Sequence, residues 1–184
     1  MRVKNEGRFF LIFKLSILLA LLSILLLGGN TQKISQGERL KEGLIYNKGH
    51  DQPFTGKILD TLNQSIIAYD VVDGIKNGEF CLYTLSGVPY IKGFIKNNKN
   101  EGKWVYLYKN GNVESEGDFK NDMPHGKWKW YYPNGTIKSQ GYYVNGKQVG
   151  TWQKYDEEGE LSKVTYYHLG KKTGEVDIKK LKAV

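Results

Sequence analysis

The chain has 184 residues, enough for one domain, with 27 Lys plus Arg against 19 Asp plus Glu and a formal net charge of +8. Acids interleave with the basic side chains, as in Glu114, Glu116 and Asp118, which excludes the one-faced Lys/Arg patch of a nucleic-acid binder. The single cysteine, Cys81, excludes an internal disulfide and a multi-cysteine zinc site.

The amino terminus carries Arg2, Lys4, Arg8 and Lys14 ahead of an apolar run from Leu15 to Leu27, broken only by Ser16 and Ser23. A basic region before such a core is the signature of a secretory signal. With residues 9–13 added, the stretch reaches about twenty residues and could just span a bilayer. Gly28 and Gly29 are small, but Leu27 is a poor match to a cleavage site. Residues 1–29 are therefore read as a signal-anchor helix, with a cleaved signal peptide as the alternative. In either case the positive flank stays in the cytoplasm. The rest of the chain is then placed in the cell envelope, with membrane contact through residues 9–29. Residues 30–43 read as a polar linker.

From residue 44 onward the pattern changes to strands and turns. Leu44-Ile45-Tyr46-Asn47-Lys48-Gly49 reads as a strand and turn of a partial capping unit, and Pro53-Phe54-Thr55-Gly56-Lys57 opens a degenerate one. A regular repeat follows. Gly78, Gly102, Gly126 and Gly150 stand 24 residues apart. Two places after each comes Phe80, Trp104, Trp128 or Trp152, and nine places after each comes Gly87, Gly111, Gly135 or Gly159. A period in this range marks an array of supersecondary units, which makes an extended surface more readily than a single catalytic pocket.

Within a unit, Trp104, Tyr106 and Tyr108 alternate with Lys103, Val105 and Leu107, the period of a strand. Asn110-Gly111 and Asn134-Gly135 then predict two-residue hairpin turns. That register sets Tyr108 against Val113, Tyr106 against Ser115 and Trp104 against Gly117, and it sets Trp128 against Gly141. Each ring would then lie over the glycine facing it on the neighbouring strand. Thr165 breaks this rule opposite Trp152. Second turns fall at Asn97-Asn98, Asn121-Asp122, Asn145-Gly146 and Leu169-Gly170. If these are two-residue turns without a bulge, Trp128 falls beside Ser115. Lys103 is expected across from Asp118.

The fold class is therefore all-β, an elongated antiparallel meander of β-hairpin repeats of about 24 residues over residues 44–176. It follows the N-terminal hydrophobic helix and ends in a tail, residues 177–184, read as a short cap or a frayed end. The exposed hairpin edges leave self-association open.

The stretch Gly126-Lys-Trp-Lys-Trp-Tyr-Tyr-Pro-Asn-Gly135 resembles the MORN repeat (membrane occupation and recognition nexus) in its bacterial variant form. Residues 53–57 resemble the opening unit of the YwqK-type antitoxin family. The likeness covers roughly residues 44–176. It implies a non-enzymatic protein that binds a partner protein, as an antitoxin-like or immunity-like neutraliser or a scaffold.

No nucleophile-elbow or phosphate-loop motif appears, and His50, His125 and His168 lie far apart, so no catalytic, cofactor or metal residue is assigned. The aromatic side carries the case for function: Trp104, Tyr106, Tyr108, Trp128, Trp130, Tyr132 and Trp152. These rings either form the core inside a curved sheet or leave part of the face open as a partner groove, where Trp and Tyr serve as anchors. The alternative function is a membrane- or cell-wall-surface module binding lipid or glycan. A small enzyme would need a polar pocket that the chain does not advertise.

Overall fold

A computed structural model describes residues 31–33, 38–47 and 49–182. The signal or anchor segment expected over residues 1–29 lies outside them. Among the described residues no helix is long and apolar enough to cross a membrane. They form two compact units, one ending at Pro89 and one starting at Tyr90, and both are almost wholly antiparallel β.

The first unit contains β1 (Thr31–Lys33), β2 (Glu38–Lys41), β3 (Leu44–Asn47), β4 (Gly56–Leu62), β5 (Ser65–Val72) and β6 (Ile75–Thr84). Strands β4, β5 and β6 form a meander, β1 pairs parallel with β4, and β2 and β3 form a separate hairpin. Two short strands thus occupy part of the stretch 30–43 expected as a linker. Their polar composition hides them from a reading that looks for alternating apolar residues.

Residues 44–54 fold over the β5–β6 turn. The amide of Ile45 donates to Gly74 O at 2.9 Å, that of Phe54 to Ile45 O at 2.8 Å, and that of Gly74 to Phe54 O at 2.7 Å. This seats Ile45 and Phe54 on Ile58, Tyr69 and Val71, with Ile67 and Phe80 packed alongside. Ile58 is fully buried. The partial capping unit read from sequence is therefore a closed apolar core.

The second unit is a meander in chain order: β7 (Pro89–Lys96), β8 (Lys99–Leu107), β9 (Val113–Lys120), β10 (Met123–Tyr131), β11 (Ile137–Val144), β12 (Lys147–Tyr155), β13 (Leu161–His168) and β14 (Lys171–Asp177). It ends in the short helix α1 (Ile178–Lys182). Within the stretch expected as a tail, Lys179 reaches Asp156 at 2.9 Å and Lys182 reaches Glu160 at 3.2 Å, which ties α1 to the loop between β12 and β13.

Two kinds of turn alternate. At Asn97-Asn98, Asn121-Asp122, Asn145-Gly146 and Leu169-Gly170 both residues have positive φ, and the flanking residues pair directly. These are the two-residue primed turns. The Asn-Gly pairs do something else. Gly111 alone has positive φ there, its amide donates to Tyr108 O at 2.9 Å, and the Tyr108 amide donates to Asn112 O at 2.8 Å. That is a three-residue loop with a left-handed glycine and a local bulge. Leu107 therefore takes Val113 as its partner, displacing Tyr108 from its expected place. Tyr132 to Thr136 and Asp156 to Glu160 repeat the geometry.

Leu169 is the misfit of the primed row. It adopts φ 47° where its equivalents are asparagine, and it is 57% exposed. A branched apolar residue held left-handed costs roughly 1–2 kcal/mol, and asparagine tolerates that region better. Leu169→Asn is expected to raise stability by about 1 kcal/mol. The check is a higher urea midpoint with an unchanged denaturant slope.

Candidate functional site

Three features of the repeat build the aromatic face of the second unit. The first is a bulge at the head of each hairpin. His125 pairs with Asp118 and Lys129 with Glu116, so Gly126, Lys127 and Trp128 stand against the single Gly117. Gly126 enters this bulge at φ 71°. Gly102 to Trp104 against Gly93, and Gly150 to Trp152 against Gly141, repeat it.

The second feature is the direction of the tryptophans. The pairings Trp104 with Gly117 and Trp128 with Gly141 hold, and Thr165 does face Trp152. The rings nevertheless go the other way. The indole of Trp128 lies on Gly117, that of Trp152 on Gly141 and that of Trp104 on Gly93. The bulge turns each ring back across the join between hairpins, so the covered glycine belongs to the preceding hairpin. Trp104 Nε1 donates to Phe94 O at 3.2 Å and Trp128 Nε1 to Asp118 O at 3.0 Å. Trp152 Nε1 is buried and finds no such acceptor among the described residues. The bulge also moves Trp130, not Trp128, beside Ser115.

The third feature is a column that sequence reasoning passed over: Ile95, Phe119, Tyr143 and Tyr167, again 24 residues apart. The three rings of this column pack edge-on against the tryptophans. Phe119 sits 5.6 Å from Trp104 and 5.3 Å from Trp128, and Tyr143 sits 6.1 Å from Trp128 and 5.1 Å from Trp152. Tyr167 continues the ladder at 6.0 Å from Trp152, while Trp130 bridges Trp128 at 5.7 Å and Trp152 at 5.5 Å. The period that found the tryptophans could have found this column too.

The proposed site residues therefore divide by place. Trp104 and Trp128 are each only 5% exposed, sealed by neighbouring rings within a single sheet layer. Tyr106, Tyr108, Trp130, Tyr132 and Trp152 are half-buried. Tyr108 and Tyr132 staple successive turns, their hydroxyls donating to Tyr131 O at 2.7 Å and Tyr155 O at 2.9 Å. Asn110 and Asn134 add amide bonds to Pro133 O and Glu157 O. Tyr108, Trp130, Tyr143 and Trp152 line a recess of about 290 Å³ together with Glu114 and Gln148.

One cross-strand row organises the open part of this face. Tyr106 pairs with Ser115, Ser115 with Trp130, Trp130 with Ser139, Ser139 with Lys154 and Lys154 with Lys163. The row passes from aromatic to basic as it nears the C-terminal end.

The opposite face is mostly polar, with exposed tyrosines such as Tyr142 and Tyr166. Lys103 pairs in register with Asp118, as expected, but its ammonium reaches Glu116 at 2.8 Å. Tyr131 donates its hydroxyl to the same carboxylate at 2.7 Å. Lys103 and then Tyr131 hold the Glu116 carboxyl below its usual range. Burial, and then Glu116, push the Tyr131 phenol up to about 12. A phenol raised in the folded state stabilises fully below its unfolded value of about 10, and that contribution goes as pH climbs to the folded value. Stability should therefore fall between pH 10 and about 12. Tyr131→Phe should make that fall shallower in urea midpoints taken across the range.

Residues 100–121, 124–145 and 148–169 each match the MORN repeat variant. The second unit is thus a β-hairpin array carrying three copies of this repeat. MORN repeats generally mediate protein or membrane-lipid interactions, and a β meander of them is typically a non-catalytic binding module. No curated protein matches the chain. Matching solved structures include the crystal structure of TarM, at 13% identity and a TM-score of 0.29 over 50% of this chain and 20% of that one. Another is an S. aureus TarM mutant in complex with Fondaparinux, alpha-GlcNAc-glycerol and UDP, at 12% identity and a TM-score of 0.27 over 76% of this chain and 27% of that one. The chain spans about a fifth to a quarter of the length of these solved chains, and likeness at such TM-scores carries no weight for function.

Proposed function

We propose that the protein is a non-enzymatic MORN-repeat module of the cell envelope that docks a partner protein on the aromatic face of its second unit, as an antitoxin-like or immunity-like neutraliser or a scaffold. The observation that carries this reading is the strip of Tyr106, Trp130 and Trp152, which stays only partly buried while Trp104 and Trp128 beside it are sealed. Rings held by register and by neighbouring rings offer a rigid surface, and rigid aromatic anchors lose little entropy on binding. The buried Trp104 and Trp128 then act beside the strip, on the same face, as its support. The basic flank and apolar run before residue 30 support the envelope location.

The test is crosslinking and affinity capture by the full chain from its native envelope fraction. A single stoichiometric protein should be retained by wild type and by Tyr142→Ala on the opposite, exposed face. It should be lost with Trp130→Ala, in a variant whose thermal unfolding shows that it folds. Capture indifferent to Trp130 would sink the docking face. Binding to anionic vesicles with no protein captured would transfer the face to a lipid surface.

A further inference from the structure

Where the aromatic row ends, the sheet opens into a cleft of about 510 Å³ lined by Lys154, Lys163, Lys179 and Lys180 with Asp156 and Asp177. The repeat explains how it arises. Lys154 occupies the position that Tyr106 and Trp130 hold in earlier units, and Asp156 occupies that of Tyr108 and Tyr132. Past β14 the chain turns into α1 and supplies no further aromatic turn to stack there.

The charges in the cleft do not cancel. Asp156 is engaged by Lys179 at 2.9 Å and accepts the Glu160 amide at 2.8 Å. Asp177 accepts the Lys180 amide at 3.2 Å. Lys163 shares Glu175 with Lys172. The ammonium groups of Lys154 and Lys180 have no acidic partner within ion-pair distance among the described residues.

We propose that the partner presents an acidic segment to this end of the face: apolar side chains seat along Trp130 and Trp152, and the carboxylates beside them enter the lysine cleft. The proposal rests on the aromatic face being the docking face, and it adds the chemistry of the occupant. Charge complementarity argues for it, since four lysines face two aspartates in the cleft lining, the unpaired Lys154 lies on the same cross-strand row as the rings, and the unpaired Lys180 enters the same cleft from α1. Lysines act as point charges that accept carboxylates in varied geometry, which suits a flexible acidic stretch. A bilayer fits less well. Surfaces that enter membranes push apolar side chains outward, whereas here the rings are recessed and form a hollow that receives side chains.

The test uses the full chain. A displayed library of random peptides is selected against it, and the tightest acidic peptide is synthesised together with a version carrying Gln and Asn in place of its Glu and Asp. Fluorescence anisotropy then measures both against wild type, the paired Lys154→Gln and Lys180→Gln variant, and Trp130→Ala. The amide version should bind about tenfold more weakly, as expected for two partly exposed ion pairs. The lysine variant should drop the acidic peptide to that level, leave the amide peptide unchanged and unfold at the wild-type temperature. Binding of the acidic peptide should also weaken with added salt. Equal binding of the two peptides, or a lysine variant indistinguishable from wild type, would overturn the proposal. Selected peptides that lack acids yet depend on Trp130 would remove the acidic occupant and leave the docking face standing. Lysine-dependent binding to phosphatidylserine vesicles, with no peptide selected, would remove both.

Discussion

Trp128→Ala is expected to lower the unfolding free energy by about 3–5 kcal/mol, the range for truncating a large buried aromatic side chain. Trp128 is the hub of the ladder. It touches Phe119, Tyr106, Trp130 and Tyr143, covers Gly117 and donates its indole N–H to Asp118 O. Removing it opens a hole that a single sheet layer cannot refill from a second layer, and it uncovers glycine backbone on the neighbouring strand. Trp130→Ala should cost clearly less, because Trp130 is less deeply buried than Trp128 and no glycine lies beneath it. Urea unfolding followed by far-UV circular dichroism decides the matter. A Trp128→Ala loss under about 1 kcal/mol would mean that the ring is a surface feature and the face has another support. The pair also separates fold from function, since the docking role assigned to Trp130 predicts lost partner capture from a variant that still folds.

The parts of this arrangement legible in the sequence were those that depend on spacing. The period located the strands, both rows of turns and the pairing of Trp104 with Gly117, because a hairpin with a fixed loop leaves one register. Conformation within that spacing was harder to read. Asn110-Gly111 suits a primed turn, but it suits equally well the last two positions of a three-residue loop, where Gly111 alone needs positive φ. Gly126 stands in the sequence only as a glycine of the 24-residue row, and its φ of 71° reveals the bulge that sends the indole of Trp128 backward. Phe119 is hard to read because β9 is otherwise polar, and Tyr143 because Tyr142 stands next to it and the sequence does not say which of the two faces the tryptophans. In the first unit Ile58 and Val71 gave no periodic signal, since that core is closed by a non-repeating segment, residues 44–54. The lysine cleft was illegible for a related reason. It exists because Lys154 and Asp156 depart from the repeat and because the chain then turns into α1.

Gly117→Ala is expected to destabilise by about 1–3 kcal/mol, the cost of overpacking, although alanine is otherwise the better strand residue. Gly117 lies outside the left-handed region, so its backbone would accept a side chain. The obstacle is the Trp128 indole, which occupies the space a Cβ would need, and an indole pinned by four ring neighbours and a hydrogen bond cannot swing aside cheaply. Gly111→Ala makes the useful contrast. An added Cβ there would meet nothing within 4 Å, yet φ is 87°, so its cost of roughly 1 kcal/mol would be conformational. A double-mutant cycle tells the two causes apart. In the Trp128→Ala background the Gly117→Ala penalty should vanish or change sign, whereas the Gly111→Ala penalty should carry over unchanged. If both penalties simply add to that of Trp128→Ala, steric contact with the ring is not what keeps Gly117 a glycine. The column Gly93, Gly117 and Gly141 would then need a cause in the backbone itself.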